Sequence, residues 1–143
     1  MAETILLVDD ESAVRHLCAK ALTRAGYHVH QACNGPEALR LFDEYGDTID
    51  LLLTDMKMPH MTGSELARHL LLRRETLKLL CVSGFPDSAD PEPVMDFLYK
   101  PFSRDELLGK IREVLDRGKD ANVPRRNPIS ASRDLAFRDR WSI

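Results

Sequence analysis

Five polar residues stand where apolar runs stop. Asp9 and Asp10 follow residues 4–8 (TILLV), Asp55 follows 49–54 (IDLLLT), Ser83 follows 77–82 (LKLLCV), and Lys100 follows 96–99 (DFLY). Three carboxylates brought face to face repel one another unless a cation neutralises them. Donors that are all hard oxygens suit Mg²⁺, which keeps several waters and often bridges to phosphate. A lysine ammonium is a point charge for phosphoryl oxygens, and a serine hydroxyl is a hydrogen-bond donor to them. A carboxylate is a weak nucleophile toward an anionic phosphoryl group. A metal ion and an ammonium that neutralise the equatorial oxygens lower that barrier. Formation of an aspartyl phosphate is an established route for such carboxylates. The chemistry implied is phosphoryl transfer to an aspartate.

These residues meet only if the apolar runs are neighbouring parallel strands, because ligands in an open parallel sheet bind outside the carboxyl ends of the strands. The run at residues 4–8 is continuously apolar, as expected of a strand buried on both faces. From Ser12 the spacing becomes helical, with Val14, Leu17, Cys18, Ala21, Leu22 and Ala25 as the apolar stripe and Gly26 as a left-handed C-cap. Residues 27–33 alternate as a strand. Asn34, Gly35 and Pro36 then turn into a second helix carrying Ala38, Leu39, Leu41, Phe42 and Tyr45, which stops at Gly46. After the strand at 49–54 a loop leads to a third helix starting near residues 62–64, with Leu66 and Leu70 inward. A strand at 77–82 and a short one at 96–99 follow. The last helix, over 103–116, opens with Ser103 and Glu106 as a capping box. Strands alternating with helices on short loops predict a doubly wound α/β sandwich. Between Ser83 and Asp96 the sequence GFPDSADPEPVM holds three prolines, so the helix due there is expected to be short, distorted or missing.

The 143 residues suffice for one domain and an extension, and a 43% hydrophobic, 30% charged composition is that of a folded globule. The expected division is a domain over 1–118 and a flexible tail over 119–143. Residues 1–116 carry 13 Lys and Arg against 20 Asp and Glu, while 117–143 carry 7 against 3. An acidic globule with a basic tail argues against a nucleic-acid-binding module. The start of the chain lacks the features of a signal peptide, and no apolar run is long enough to span a bilayer, so a cytoplasmic location and no membrane contact are expected. Cys18, Cys33 and Cys81 form no CxxC pair and are expected to pack as small buried groups.

The stretches LLVDDE (6–11), LLLTDMKMPHMTG (51–63), CVSG (81–84) and FLYKPF (97–102) resemble, in order and spacing, the receiver domains of bacterial response regulators. They are most similar to the receivers of hybrid sensor histidine kinases. The resemblance spans about residues 4–116. It implies the flavodoxin-like five-stranded sheet of order 2-1-3-4-5 and a two-component or phosphorelay function, not an independent enzyme. By the same resemblance Asp55 is the phospho-acceptor. Asp9, Asp10, Asp55 and the backbone carbonyl of Lys57 hold Mg²⁺, and Ser83 and Lys100 contact the phosphoryl group. Ser83 and Phe97 form the switch, and Lys100 precedes a cis bond to Pro101. The implied partners are a histidine kinase or phosphotransfer protein and a downstream protein. The 27 residues after Asp116 are too few for a DNA-binding or catalytic output domain, so output is expected through a partner surface. Three departures stand out. Phe97 lacks the hydroxyl of the tyrosine often found there, only 16 residues separate Ser83 from Lys100, and Lys57 and Phe85 occupy positions that tune dephosphorylation.

Plainer alternatives exist for each feature. Acidic residues after strands often cap helices, and for Glu11 and Thr54 a structural role is favoured. Pro59 and Gly63 are expected to shape the loop. His28 and His30 share a strand face without a third metal ligand, and Arg68, Arg73 and Arg74 are expected to form a solvated face. In the tail, Arg125, Arg126, Leu135, Phe137 and Trp141 are expected to belong to a flexible end. Two rival functions also remain open. A phosphorylation-independent interaction module fits the shortened helical region. A phosphohydrolase of the aspartyl-phosphate type would need a DxD after the first strand, which Asp9, Asp10 and Glu11 do not provide.

Overall fold

The computed structural model describes residues 2–84 and 95–117. The proline-rich stretch where a short or missing helix was expected, Phe85 and the C-terminal tail lie outside the described residues.

Strands β1 (Thr4–Val8), β2 (His28–Ala32), β3 (Leu51–Asp55), β4 (Lys78–Ser83) and β5 (Asp96–Tyr99) form one sheet of order β2-β1-β3-β4-β5. Every neighbouring pair is parallel. Helices α1 (Ser12–Arg24), α2 (Gly35–Tyr45), α3 (Gly63–Arg73) and α4 (Arg104–Asp116) connect and follow these strands. Side chains alternate along a strand, so the continuous run of β1 feeds two cores. Leu6 and Val8 join Leu52, Phe42, Leu66 and Leu70 under α2 and α3. Ile5 and Leu7 join Leu53, Leu22, Leu98 and Ile111 under α1 and α4. Each fully buried leucine contributes on the order of 1.5–3 kcal/mol.

The helix ends follow from local chemistry. Gly26 has φ +102°, its N–H donates to the Thr23 carbonyl at 3.0 Å, and the Tyr27 N–H donates to Leu22 O at 3.1 Å. This is a Schellman closure that only a glycine enters without strain. The side chain of Asn34 caps α2 by accepting from Glu37 N at 2.8 Å. Thr62 with Glu65, and Ser103 with Glu106, form reciprocal capping boxes at α3 and α4.

Four expectations need correction. Leu17 is 71% exposed, because the face of α1 that enters the core centres on Ala19 and Leu22. At about 100° per residue Leu17 lies some 140° around from Leu22. Ala25, the C-terminal member of the same stripe, is exposed as well. Cys33 is exposed and Cys18 half-buried, leaving Cys81 as the buried thiol. Ala32, the last residue of β2, takes the inward position, so the pleat sends Cys33 outward, where Asn34 Nδ2 lies 3.5 Å from its sulfur. Arg74 is half-buried: it donates to the carbonyls of Gly46 and Ile49 and lies 5.7 Å over the Phe42 ring. It thereby closes the end of α2, while Arg73 pairs with Asp43 in the open.

Candidate functional site

The parallel register delivers the five strand-end residues to one rim. Val8 is level with Thr54, Asp55 with Val82, and Ser83 with Tyr99. Asp9, Asp10, Asp55 and Lys100 therefore emerge where the strands stop. One oxygen from each of the Asp9, Asp10 and Asp55 carboxylates lies within 4.8 Å of the others. Lys100 Nζ stands 3.6 Å from Asp55 Oδ2. Asp9 is buried, Asp55 half-buried and Asp10 exposed, so the cluster opens to solvent on the Asp10 side. Beneath it a small cavity is lined by Asp9, Thr54, Asp55, Cys18, Val82 and Lys100.

Burial is the first cause that raises the Asp55 pKa above the ordinary carboxylate value. The Asp10 charge adds to it, and Lys100 with the Met56 and Lys57 N–H groups pulls the other way. Asp9 is raised likewise, by burial first and by Asp55 and Asp10 in part, against the Glu11 N–H that donates to its Oδ1 at 2.9 Å. Two carboxylates held above their usual range, beside a third, are short of positive charge. An all-oxygen set of this kind fits a divalent cation of the hardness of Mg²⁺.

The loop after β3 is shaped by contact with the site itself. Gly63 N–H donates to Met56 O at 2.8 Å, and a Cβ at Gly63 would drive into the carbonyl oxygen of Asp55. Within the loop, His60 adopts φ 73° and Lys57 is exposed. Thr54 is buried, and its hydroxyl donates to the Asp55 carbonyl at 2.9 Å, a structural role. Glu11 is the N-cap of α1 but makes no side-chain cap.

Ser83, 3% exposed, ends β4, and its carbonyl accepts from the Lys100 N–H at 2.9 Å. The Lys100–Pro101 bond is cis, as expected. Phe97 is half-buried, its ring stacked on Tyr99 with centroids 5.9 Å apart. His28 and His30 lie on the edge strand, His30 stacked on Tyr45. Among the described residues the three aspartates are the one grouping of three metal-ligating side chains. A residue passed over in the sequence is Arg15, whose Nη1 donates to the Asp9 carbonyl at 2.8 Å. Its signal was position: it lies one helical turn after Glu11.

A family model described as the response regulator receiver domain matches residues 5–112. The response regulator receiver protein CpdR of Brucella abortus (strain 2308) is 38% identical over 117 residues, 78% of this chain and 95% of that protein. The sensor kinase CckA of the same organism is 38% identical over 119 residues, 80% of this chain, but the match spans 13% of the kinase. Among solved structures, the receiver domain from the hybrid histidine kinase CckA superposes with a TM-score of 0.70 at 35% identity, covering 78% of this chain and 98% of that one. Response regulator TrrA of Thermotoga maritima, in complex with Mg²⁺ and BeF, gives a TM-score of 0.70 at 29% identity, covering 78% and 98%. Among the described residues no helix is long and apolar enough to cross a membrane.

Proposed function

The chain belongs to the response regulator receiver domain family, and from that premise we propose that it is a phospho-acceptor module of a two-component system or phosphorelay, switched by phosphorylation of Asp55. The observation that carries this reading is the convergence of the Asp9, Asp10 and Asp55 carboxylates within 4.8 Å, with Lys100 facing Asp55 at 3.6 Å.

The Asp55 carboxylate acts as the nucleophile. One of its oxygens bonds to phosphorus as the bond to the donor nitrogen of a phosphohistidine breaks, and the electron pair leaves with the imidazole. Lys100 holds its ammonium against the incoming phosphoryl oxygens, and the Ser83 hydroxyl donates to them. Asp9, Asp10, Asp55 and the Lys57 carbonyl would hold Mg²⁺, which when bound neutralises phosphoryl charge. Movement of Ser83 toward the phosphoryl group and reorientation of Phe97 carry the change outward, shifting a pre-existing equilibrium between two conformations.

In this reading the phosphoryl donor is a histidine kinase or phosphotransfer protein, the output is a downstream protein, and the location is cytoplasmic. The module catalyses its own phosphorylation and dephosphorylation and nothing further. Incubation with acetyl phosphate and Mg²⁺, followed by mass spectrometry, tests it. The modification is expected on Asp55 and absent from Asp55→Asn. A stable phosphoryl group found elsewhere, or on Asp55→Asn, would overturn it.

A further inference from the structure

We propose that Arg15 is a positioning residue for a divalent cation: its guanidinium, bonded to the Asp9 carbonyl, holds the turn that aims the Asp10 carboxylate at Asp9 and Asp55. The inference rests on the metal-binding part of the functional reading above and concerns a residue outside the ligand set.

Asp10 is exposed, and no described residue donates a hydrogen bond to its carboxylate. Its direction therefore depends on the backbone of the Asp9–Asp10–Glu11 turn. Four bonds pin that turn. Asp9 N–H donates to Ala32 O at 3.1 Å, Glu11 N–H to Asp9 Oδ1 at 2.9 Å, Arg15 N–H to Glu11 O at 2.9 Å, and Arg15 Nη1 to Asp9 O at 2.8 Å. The fourth belongs to a side chain, and it grips the peptide unit between the first two acids. The other three persist whatever side chain stands at position 15.

The placement of Arg15 is otherwise unfavourable. It lies in the first turn and a half of α1, where the helix dipole disfavours a cation. It is also half-buried, which costs rotamer freedom and hydration. Its charge is felt by Glu37, whose pKa is lowered by the Cys33 N–H first and by Arg15 among lesser causes. Helix stability would be served as well by a shorter neutral residue. The bond to the Asp9 carbonyl is what the guanidinium adds. Groups that orient metal ligands without touching the metal typically change affinity about 10- to 100-fold when removed.

A positive charge near the site could instead repel the cation, so the sign of the change decides between the two effects. Calorimetric titration of the full chain with Mg²⁺ alone compares wild type, Arg15→Met and Arg15→Lys. Arg15→Met is expected to bind about tenfold more weakly, with an unchanged unfolding midpoint in EDTA. Its acetyl-phosphate-driven phosphorylation should return to the wild-type rate once Mg²⁺ saturates. Arg15→Lys, which keeps the charge and a donor, should recover most of the loss. Should Arg15→Met fail to fold, Arg15→Gln, too short to reach the carbonyl, must show the same weakening. Equal or tighter binding by the Met or Gln variant would overturn the role of Arg15 and leave the functional reading intact. No Mg²⁺ binding by the wild-type chain would sink both.

Discussion

Lys100, just past β5, reaches over β4 to Asp55 at the end of β3, its Nζ 3.6 Å from Oδ2, while its backbone N–H is anchored on the Ser83 carbonyl at 2.9 Å. The lysine is thus held by the strand between them and aimed at the one beyond. Its side chain is 35% exposed and that of Asp55 12%, so the pair is screened on the lysine side only.

Replacing Lys100 by Met removes the charge that pulls the Asp55 pKa down while leaving the burial that pushes it up. The Asp55 carboxyl should then titrate higher than in the wild type, as read by carbon-13 NMR. Phosphorylation by acetyl phosphate at saturating Mg²⁺ should slow by roughly 100–1000-fold, the range for removing a donor to developing charge. An unchanged rate would exclude contact between the ammonium and the phosphoryl group.

Asp55→Asn should stabilise the cation-free protein at neutral pH by about 0.5–2 kcal/mol. Because burial raises the folded-state pKa of Asp55, its contribution to stability is fullest below about pH 4, the unfolded value, and is lost as pH rises through the folded value. The advantage of the Asn variant should therefore shrink to nothing toward pH 3 and be greatest above the raised pKa. Urea unfolding in EDTA across that range measures it, and a gap that widens on acidification would contradict the account.

Mg²⁺ should reverse this penalty. At a free concentration about 100 times the dissociation constant, binding to the folded state adds about 2.7 kcal/mol. The rise in Tm expected for the wild type should vanish in EDTA and be largely lost in Asp10→Asn. An equal shift in that variant would place the cation elsewhere.

Gly63→Ala would drive a methyl into the Asp55 carbonyl and within 3.1 Å of the Met56 Cα, neither of which can swing aside. A loss of about 1–3 kcal/mol is expected, together with weaker Mg²⁺ binding as Asp55 is displaced. Gly109→Ala, in the interior of α4 with nothing within 4 Å of the new Cβ, should instead gain roughly 0.5–1 kcal/mol. Chemical denaturation of the two variants side by side checks both signs.

Much of this site could be read before any coordinates. Asp9, Asp10, Asp55, Ser83 and Lys100 each end an apolar run, and in a parallel sheet all carboxyl ends lie on one rim, so strand assignment alone brought them together. The capping pair Ser103 with Glu106 was equally legible, because a cap is a contact across three residues; the matching pair Thr62 with Glu65 carries the same signal and was passed over. Arg15 and Arg74 were not. Each makes its decisive bond to a backbone carbonyl, and a carbonyl leaves no trace in the identity of the residue that bears it. The exposure of Leu17 and Cys33 was missed for a related reason. Helical spacing gives the angle between side chains but not which angle faces the sheet, and the pleat of β2 took its phase from Ala32.

The amino-acid sequence by itself determined the order of strands and helices, the helix caps and the set of charged groups at the strand ends, since these depend on neighbours a few residues away. The tertiary structure decided how close the three carboxylates come, which of them are buried, and that a guanidinium from α1 grips the first acidic turn. Those outcomes depend on how β1, β3, β4 and β5 pack edge to edge beneath their helices, and desolvation and charge proximity exist only once that packing has formed.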